Sequence, residues 1–383
     1  MQKLQMVDLR RQYLSIKTEI DAAIQNVIDT TAFINGPDVG AFAGELARYL
    51  DVKHVIPCAN GTDALQMALM ALGLQPGDEV ITPSFTYIAT VEVVALLGLT
   101  PVFVDVDAET FTMDLESVRR AITSRTKAIM PVHLYGQSVD MAPLIQLAAE
   151  HNIPLIEDNA QAIGATYTFP DGRVVKTGAM GTIGCTSFFP SKNLGCYGDG
   201  GAMFTNDDAL AEKLRMIANH GQQVRYYHEM VGCNSRLDSI QAAVLRVKLP
   251  RLDGYNEARR KAADAYDAAF SPNPHIETPF RAPYSTHVFH QYTLKISGVD
   301  RDAVSAALTE QGIPNMIYYP VPCHRQNMLR NFAGTIQALP VTDALNECVL
   351  SLPIHTELTE AEIERITTAV NEVIAALAQS KSL

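Results

Sequence analysis

This sequence lacks a C-x-x-C pair, a long apolar run and a surplus of basic residues. Its six cysteines (Cys58, Cys185, Cys196, Cys233, Cys323 and Cys348) are scattered, so their spacing indicates neither a zinc site nor a disulfide framework. No stretch reaches 18 apolar residues, and MQKLQMVDLRRQYLSIK has no apolar core of signal-peptide length. A cytoplasmic protein without membrane contact is therefore expected, and the sequon Asn60-Gly61-Thr62 carries no meaning in it. Basic residues number 30 against 42 acidic, a net charge of −12. That balance excludes sequence-independent nucleic-acid binding, which needs a basic face, but leaves room for a local pocket for an anionic metabolite. No repeat or low-complexity tract interrupts the chain, so its parts are expected to pack tightly. His133, His287 and His290 stand at no recognised ligand spacing and read as core or surface residues, with no metal.

What is present is 383 residues with 47% apolar and 19% charged composition, enough for one large domain and a smaller one. An arm and helix fill residues 1–35, and a second helix covers 39–50. Strands are predicted at 54–59, 79–83, 101–106, 127–132 and 154–158, with helices at 64–72, 88–97, 115–122 and 142–151 between them. Such alternation indicates a mostly parallel sheet covered by helices, with ligands at the C-terminal strand ends. Beyond residue 207 the pattern gives helices at 208–219 and 239–270, the latter broken near Pro250. After Pro272, strands at 291–296 and 313–319 and helices at 301–311 and 360–378 form a compact α+β unit. The expected domains are 1–250, with the N-terminal arm, and 251–383.

The most informative stretch is IGCTSFFPSKNLGCYGDGGAMFTN, residues 183–206. Its only lysine, Lys192, lies between two short apolar strands, where desolvation makes an amine partly neutral and nucleophilic. The ordinary alternative is an exposed turn lysine. Asp158 ends the apolar strand IPLIED, so its carboxylate emerges at the edge of a buried sheet and needs a partner to stay ionised. It reads either as the N-cap of a helix at 160–165 or as the counter-ion of a cationic ring nitrogen. Asn60-Gly61-Thr62-Asp63 opens an apolar helix, either as a plain cap or as a phosphate site. A reactive lysine, a strand-end aspartate and a Gly-Thr helix start are together the anchors that pyridoxal phosphate requires.

With those segments the chain resembles, over essentially its whole length, the DegT/DnrJ/EryC1/StrS sugar aminotransferases of the aspartate-aminotransferase (type I) α/β fold. The marks are ANGTDAL (59–65), Thr86-Tyr87, IEDNAQA (156–162), SFFPSK (187–192), GDGG (198–201) and Asn234-Ser235-Arg236. The resemblance implies that Lys192 forms the imine with pyridoxal 5′-phosphate and shuttles the proton, the cofactor passing through its pyridoxamine form. It implies that Asp158 pairs with the pyridinium, Gln161 meets the ring hydroxyl, Tyr87 stacks on the ring, and Gly61, Thr62 and Ser187 bind the phosphate. Asn234 would reach the phosphate of a neighbouring subunit, making the enzyme a homodimer with shared sites.

Family members act mostly on nucleotide-linked keto sugars with L-glutamate as donor. This chain is most similar to enzymes aminating C3 of UDP-2-acetamido-2-deoxy-3-oxo-glucuronate, which supply surface-glycan or natural-product pathways. The C4 ketone of a 4-keto-6-deoxyhexose remains the alternative. Arg236 reads as a carboxylate clamp or as a structural ion pair with Asp238 or another subunit. Tyr318 of Tyr318-Tyr319-Pro320 stands where the relatives have histidine, which makes Tyr318 and Tyr319 candidates for sugar contact. Histidine in place of the lysine marks the related dehydratases, so Lys192 favours transamination. Competing readings are an amino-acid aminotransferase, a desulfurase using Cys323, and a regulatory protein that kept the fold without catalysis.

Overall fold

Runs such as Glu79–Pro83, buried along their whole length, and Gly201–Thr205, buried likewise, can only be strands covered on both faces. The computed structural model describes residues 3–329, 332 and 338–380, so the first two residues of the expected arm lie outside it. The strands His54–Cys58, Gly201–Thr205, Ile183–Ser187 and Ile156–Asp158 form a four-stranded sheet in that order. Thr100–Val104, Glu79–Pro83 and Thr126–Ile129 form a three-stranded parallel sheet. Parallel bridges from Ile129 to Leu155 and from Val132 to Asp158 join the two into one surface. Gly201–Thr205 runs antiparallel to both of its neighbours, His54–Cys58 and Ile183–Ser187. The expected α/β architecture is therefore present.

One face of this sheet is covered by the helices Gly61–Ala71 and Asp208–Ala218, through Leu65, Met67, Leu69, Leu214 and Ile217. Val118 and Leu144, from the helices Leu115–Ala121 and Met141–Glu150, share a second cluster with Ile81, Val102 and Ile129. The break near Pro250 is real: helices Ser239–Lys248 and Leu252–Phe270 are joined by a 3₁₀ turn at Leu249–Arg251. That follows from the missing proline N–H.

The C-terminal unit is an antiparallel sheet of Ile276–Glu277, Tyr292–Ile296 and Val349–Leu352, packed on the helices Arg301–Glu310 and Glu360–Ser380. Leu4 and the end of the helix Leu252–Phe270 enter the same core. Two expectations fail here. Residues 313–319 form no strand; they make a single bridge from Met316 to Ser351 and then turn toward the first unit. The strand that fills the sheet is Val349–Leu352, preceded by the helix Pro340–Cys348. No helix follows Asp158 either: residues 160–164 are a run of turns.

A buried carboxylate is one of the ties between the two units. Asp105, just past the strand Thr100–Val104 and 8% exposed, accepts from the N–H groups of Val341 (3.0 Å) and Thr342 (2.8 Å) and from the Thr342 hydroxyl (2.7 Å). These N–H groups belong to the first turn of Pro340–Cys348, which has no intrahelical acceptor for them. Replacing Asp105 by Ala leaves them buried and unpaired, at a cost of about 2–4 kcal/mol. The urea midpoint of the first unfolding transition should fall accordingly, and a loss under about 0.5 kcal/mol would remove this cap from the account.

Candidate active site

The C-terminal strand ends, together with His290, Gln291, Tyr318 and Tyr319 of the second unit, enclose a cavity of about 710 Å³. Gly61, Thr62, Tyr87, Asp158, Gln161, Ser187, Lys192, Tyr318 and Tyr319 all line it, so the structure gathers these predicted residues in one place. Asn234 and Arg236 do not line it. Asn234 is exposed beside the hairpin formed by Gln222–Val224 and Tyr227–His228, and Arg236 makes no ion pair with Asp238 or any other described residue.

One wall is the start of the 11-residue helix Gly61–Ala71. Asn60 caps it by accepting from the Asp63 N–H at 2.8 Å. The N–H groups of Gly61 and Thr62 and the Thr62 hydroxyl have no acceptor among the described residues and line the cavity. Ser187 ends the adjacent strand, and its oxygen accepts from the Phe189 N–H at 3.2 Å, leaving its own hydrogen free. A Cβ on Gly61 would lie 2.7 Å from Ser187 Cβ, and one on Gly201 would lie 2.4 Å from the Asn60 carbonyl. Only glycine permits this approach. Two N–H groups, two hydroxyls and a helix dipole converge there, a donor set that fits a phosphate.

The opposite anchor is Asp158, 5% exposed. Its Oδ2 accepts from the Thr90 hydroxyl at 2.8 Å and its Oδ1 from the Ala160 N–H at 3.1 Å. Burial pushes its pKa up despite those donors and the nearby Lys192 charge. A carboxylate in that state gains most from a cation brought into the cavity, such as a protonated ring nitrogen. Gln161 accepts from the Tyr135 N–H at 2.8 Å, which fixes its amide orientation, and donates to the Tyr319 hydroxyl at 3.0 Å. One amide hydrogen remains for a ligand. Tyr87, 55% exposed, stands 6.0 Å from Tyr319 with a tilted ring. The residues present thus fit pyridoxal phosphate at its phosphate, its ring nitrogen and its ring hydroxyl.

Lys192 sits on a loop held from several sides. Its N–H donates to Phe189 O at 2.8 Å, and the Cys196 N–H returns to Phe188 O at 2.8 Å. Asn193 donates to Asn256 Oδ1 (2.7 Å) and to Val288 O (2.9 Å), and Lys248 donates to Gly195 O. Burial lowers the Lys192 pKa to about 8, with Asp158 opposing the shift. With that pKa about a tenth of the amines are deprotonated at pH 7 and about half at pH 8, far more than for an ordinary lysine, and the neutral form is the one that both imine formation and base catalysis require.

Sequence reasoning missed Thr90, Asn193, Asn256 and Lys248. Asn256 was detectable: a buried asparagine inside a helix needs a side-chain partner. Expected as core or surface, His290 instead lines the cavity. His133 is fully buried and bonded to Glu157 at 2.8 Å, and His287 stacks on Phe289. Cys323 faces Thr86 O, and burial raises its thiol pKa to about 12, which removes the basis for a desulfurase nucleophile.

The sequence profile of the DegT/DnrJ/EryC1/StrS aminotransferase family matches residues 14–371. The chain is 46% identical over 370 residues to the UDP-2-acetamido-2-deoxy-3-oxo-D-glucuronate aminotransferase of Pseudomonas aeruginosa, covering 96% of this chain and 99% of the relative. It is 47% identical over 369 residues to the UDP-N-acetyl-3-dehydro-alpha-D-glucosamine 3-aminotransferase of Acidithiobacillus ferrooxidans, covering 96% and 97%. Among solved structures, ntda of Bacillus subtilis with bound cofactor PMP superposes with a TM-score of 0.90 at 32% identity, over 98% of this chain and 86% of that one.

The lowered Lys192 pKa has a direct readout in cofactor-free protein. Acylation of Lys192 by an amine reagent, followed by peptide mass spectrometry, should rise with pH to half its maximum near 8. Exposed lysines should need about pH 10.4. Because Asp158 raises the Lys192 pKa, Asp158→Asn should move the midpoint down. A Lys192 midpoint near 10 would refute the burial argument. Lys248 has a similarly lowered pKa but is 1% exposed, so it should stay unlabelled.

Proposed function

Since this chain belongs to the DegT/DnrJ/EryC1/StrS aminotransferase family, we propose that it moves the amino group of L-glutamate to C3 of a UDP-linked 2-acetamido-3-keto sugar. The glucuronate or another 3-keto hexose would be the acceptor, and surface-glycan or natural-product assembly the use. One observation carries the reading: Lys192, Asp158, Gln161 and the Gly61 helix start line a single cavity. The names of two relatives, both acting on C3 of a UDP-linked sugar, support the acceptor. The cofactor is pyridoxal phosphate, which when bound supplies an electron sink conjugated to the reacting carbon.

The chain's own residues do the rest. Gly61, Thr62 and Ser187 take the phosphate on N–H and O–H donors, and Asp158 keeps the proton on the ring nitrogen. The free amide hydrogen of Gln161 serves the ring hydroxyl, and Tyr87 offers a ring face. Lys192 Nζ would carry the proton from the donor's α-carbon to the cofactor and, in the acceptor half-reaction, from the cofactor to the acceptor's reacting carbon. Its pKa near 8 lets one group act as base and then as acid.

Tyr318 is our candidate for reading the sugar. It lines the cavity, its ring lies 5.7 Å from that of Tyr319, and Tyr135 donates to its carbonyl. We assign Asn234 and Arg236 to the cavity of a second copy in a homodimer, Asn234 to the phosphate and Arg236 to a substrate carboxylate. Support comes from the apolar exposure beside them: Val231 is 83% exposed, Tyr226 75% and Tyr227 67%. In this reading residues 1–250 form the cofactor-binding unit and 251–383 the small one, and the enzyme works in the cytoplasm. Among the described residues no helix is long and apolar enough to cross a membrane.

Cofactor-loaded protein should lose its visible absorption on addition of L-glutamate and regain it with a UDP-linked 3-keto sugar. Recovery with a 4-keto-6-deoxy sugar alone would overturn the C3 assignment, and no bleaching by glutamate would overturn the donor. Lys192→Ala should keep the fold by circular dichroism and abolish turnover. Tyr318→His should change the ranking of keto sugars and leave the rate of bleaching by glutamate unchanged. An unaltered ranking would remove Tyr318 from sugar recognition.

A further inference from the structure

His290 stands in the cavity without a part in holding the cofactor. It lines the cavity with Lys192, Asp158 and Gln291, and is 4% exposed. Its Nδ1 is sealed from solvent and has no hydrogen-bond partner. Nε2 also lacks a partner among the described residues but is not sealed, so it opens on the cavity.

The backbone around His290 is fixed on several sides. The buried Arg259 guanidinium donates to Phe289 O (3.1 Å), His290 O (3.4 Å) and Ile354 O (2.9 Å). Asn193, next in sequence to Lys192, donates to Val288 O at 2.9 Å. The Gln291 N–H donates to Tyr135 O at 3.3 Å. One of these bonds, from Asn193 to Val288 O, also holds the loop that carries the reactive lysine.

Its protonation follows from where its nitrogens sit. A sealed N–H without an acceptor forfeits its whole hydration, whereas an unused lone pair is tolerated more often. The single proton of the neutral ring therefore belongs on Nε2. Burial and the charges of Lys192 and Arg259 act against a second proton. The cavity thus holds a neutral N–H donor in the field of the Lys192 amine. Nearby, Gln161 donates one amide hydrogen to Tyr319 and Thr90 donates to Asp158. Donor and acceptor substrates must both bring their reacting carbon to Lys192, so an oxygen on that carbon comes within the reach of His290.

We propose that His290 donates its Nε2–H to the carbonyl oxygen of the keto acceptor and fixes that carbonyl against the reacting amine. The proposal rests on the keto-acceptor reading above. A hydrogen bond there gains strength as the oxygen takes on charge during addition of the amine, so it acts on rate as well as binding.

The first test needs no turnover. In protein labelled with ¹⁵N-histidine, with His290 identified by its absence from His290→Gln, the ring should show a protonated Nε2 and a bare Nδ1. That pattern should hold across about pH 5.5–9. A proton on Nδ1, or titration near the ordinary pKa, would overturn the proposal. The second test uses pyridoxamine-phosphate-loaded protein and single turnovers with 2-oxoglutarate and with the keto sugar. His290→Leu should slow both by about a hundredfold, while His290→Gln, which keeps an N–H donor, should stay within about tenfold of the parent. Unchanged single turnovers in His290→Leu would also overturn it; should that variant not fold, the tautomer decides. If the parent consumes 2-oxoglutarate but no keto sugar, the sugar reading fails and the His290 claim is still decided by 2-oxoglutarate.

Discussion

The site depends on one close approach of backbone to backbone, where the start of the helix Gly61–Ala71 meets the ends of Ile183–Ser187 and Gly201–Thr205. Side chains at Gly61 or Gly201 would collide with Ser187 or Asn60. Without that contact the free N–H groups of the helix would not face the loop that carries Lys192. The anion cradle and the reactive amine are therefore set by the same pair of strands. The core beneath them, with Cys58, Ala64, Cys185 and Met203 buried in one cluster, holds the spacing.

Polar groups inside the protein do most of the positioning. Glu157 and Asp158 are adjacent on one strand, so they serve different purposes. Glu157 is fully buried and accepts from Gly178, Met180, Gly181 and His133, which locks the strand. Asp158 keeps spare capacity for a cation. The helix Leu252–Phe270 contributes Asn256 and Arg259 at i, i+3 spacing, one bonded to the Lys192 loop and the other to the segment that carries His290. Among the described residues neither has a carboxylate partner; both rely on carbonyls or an amide. Such groups stabilise the fold modestly when satisfied and cost far more when orphaned.

The parts of the site legible in the sequence were those whose chemistry admits few residue types. A lysine amine, a carboxylate opposite it and a glycine-led helix start are demanded by the cofactor, and Lys192, Asp158, Gly61 and Thr62 were found that way. The sheet was legible because fully buried strands are nearly continuous apolar runs. Residues 313–319 were misread because Ile313, Met316 and Ile317 look like a strand, while tertiary contacts to the first unit fold them into turns. The strand Val349–Leu352 was hidden by its shortness and by the helix that runs straight into it. His290 and Asn193 were invisible for another reason. Their roles come from which nitrogen or carbonyl lies within bonding distance, and no spacing along the chain encodes that.

Arg259 couples parts of the chain that fold far apart in sequence. Its carbonyl acceptors lie at Phe289 and His290, just before the strand Tyr292–Ile296, and at Ile354, just after the strand Val349–Leu352. Local opening of the C-terminal unit strips a buried guanidinium of one acceptor and loosens the wall of the cavity in the same event. Any occupant that makes use of that wall must then bind the closed form better than the open one. Amide protons of the C-terminal sheet would therefore exchange more slowly when the cavity is filled, although that sheet supplies none of the residues that line it. Occupancy of the cavity would then also help to keep the C-terminal unit shut.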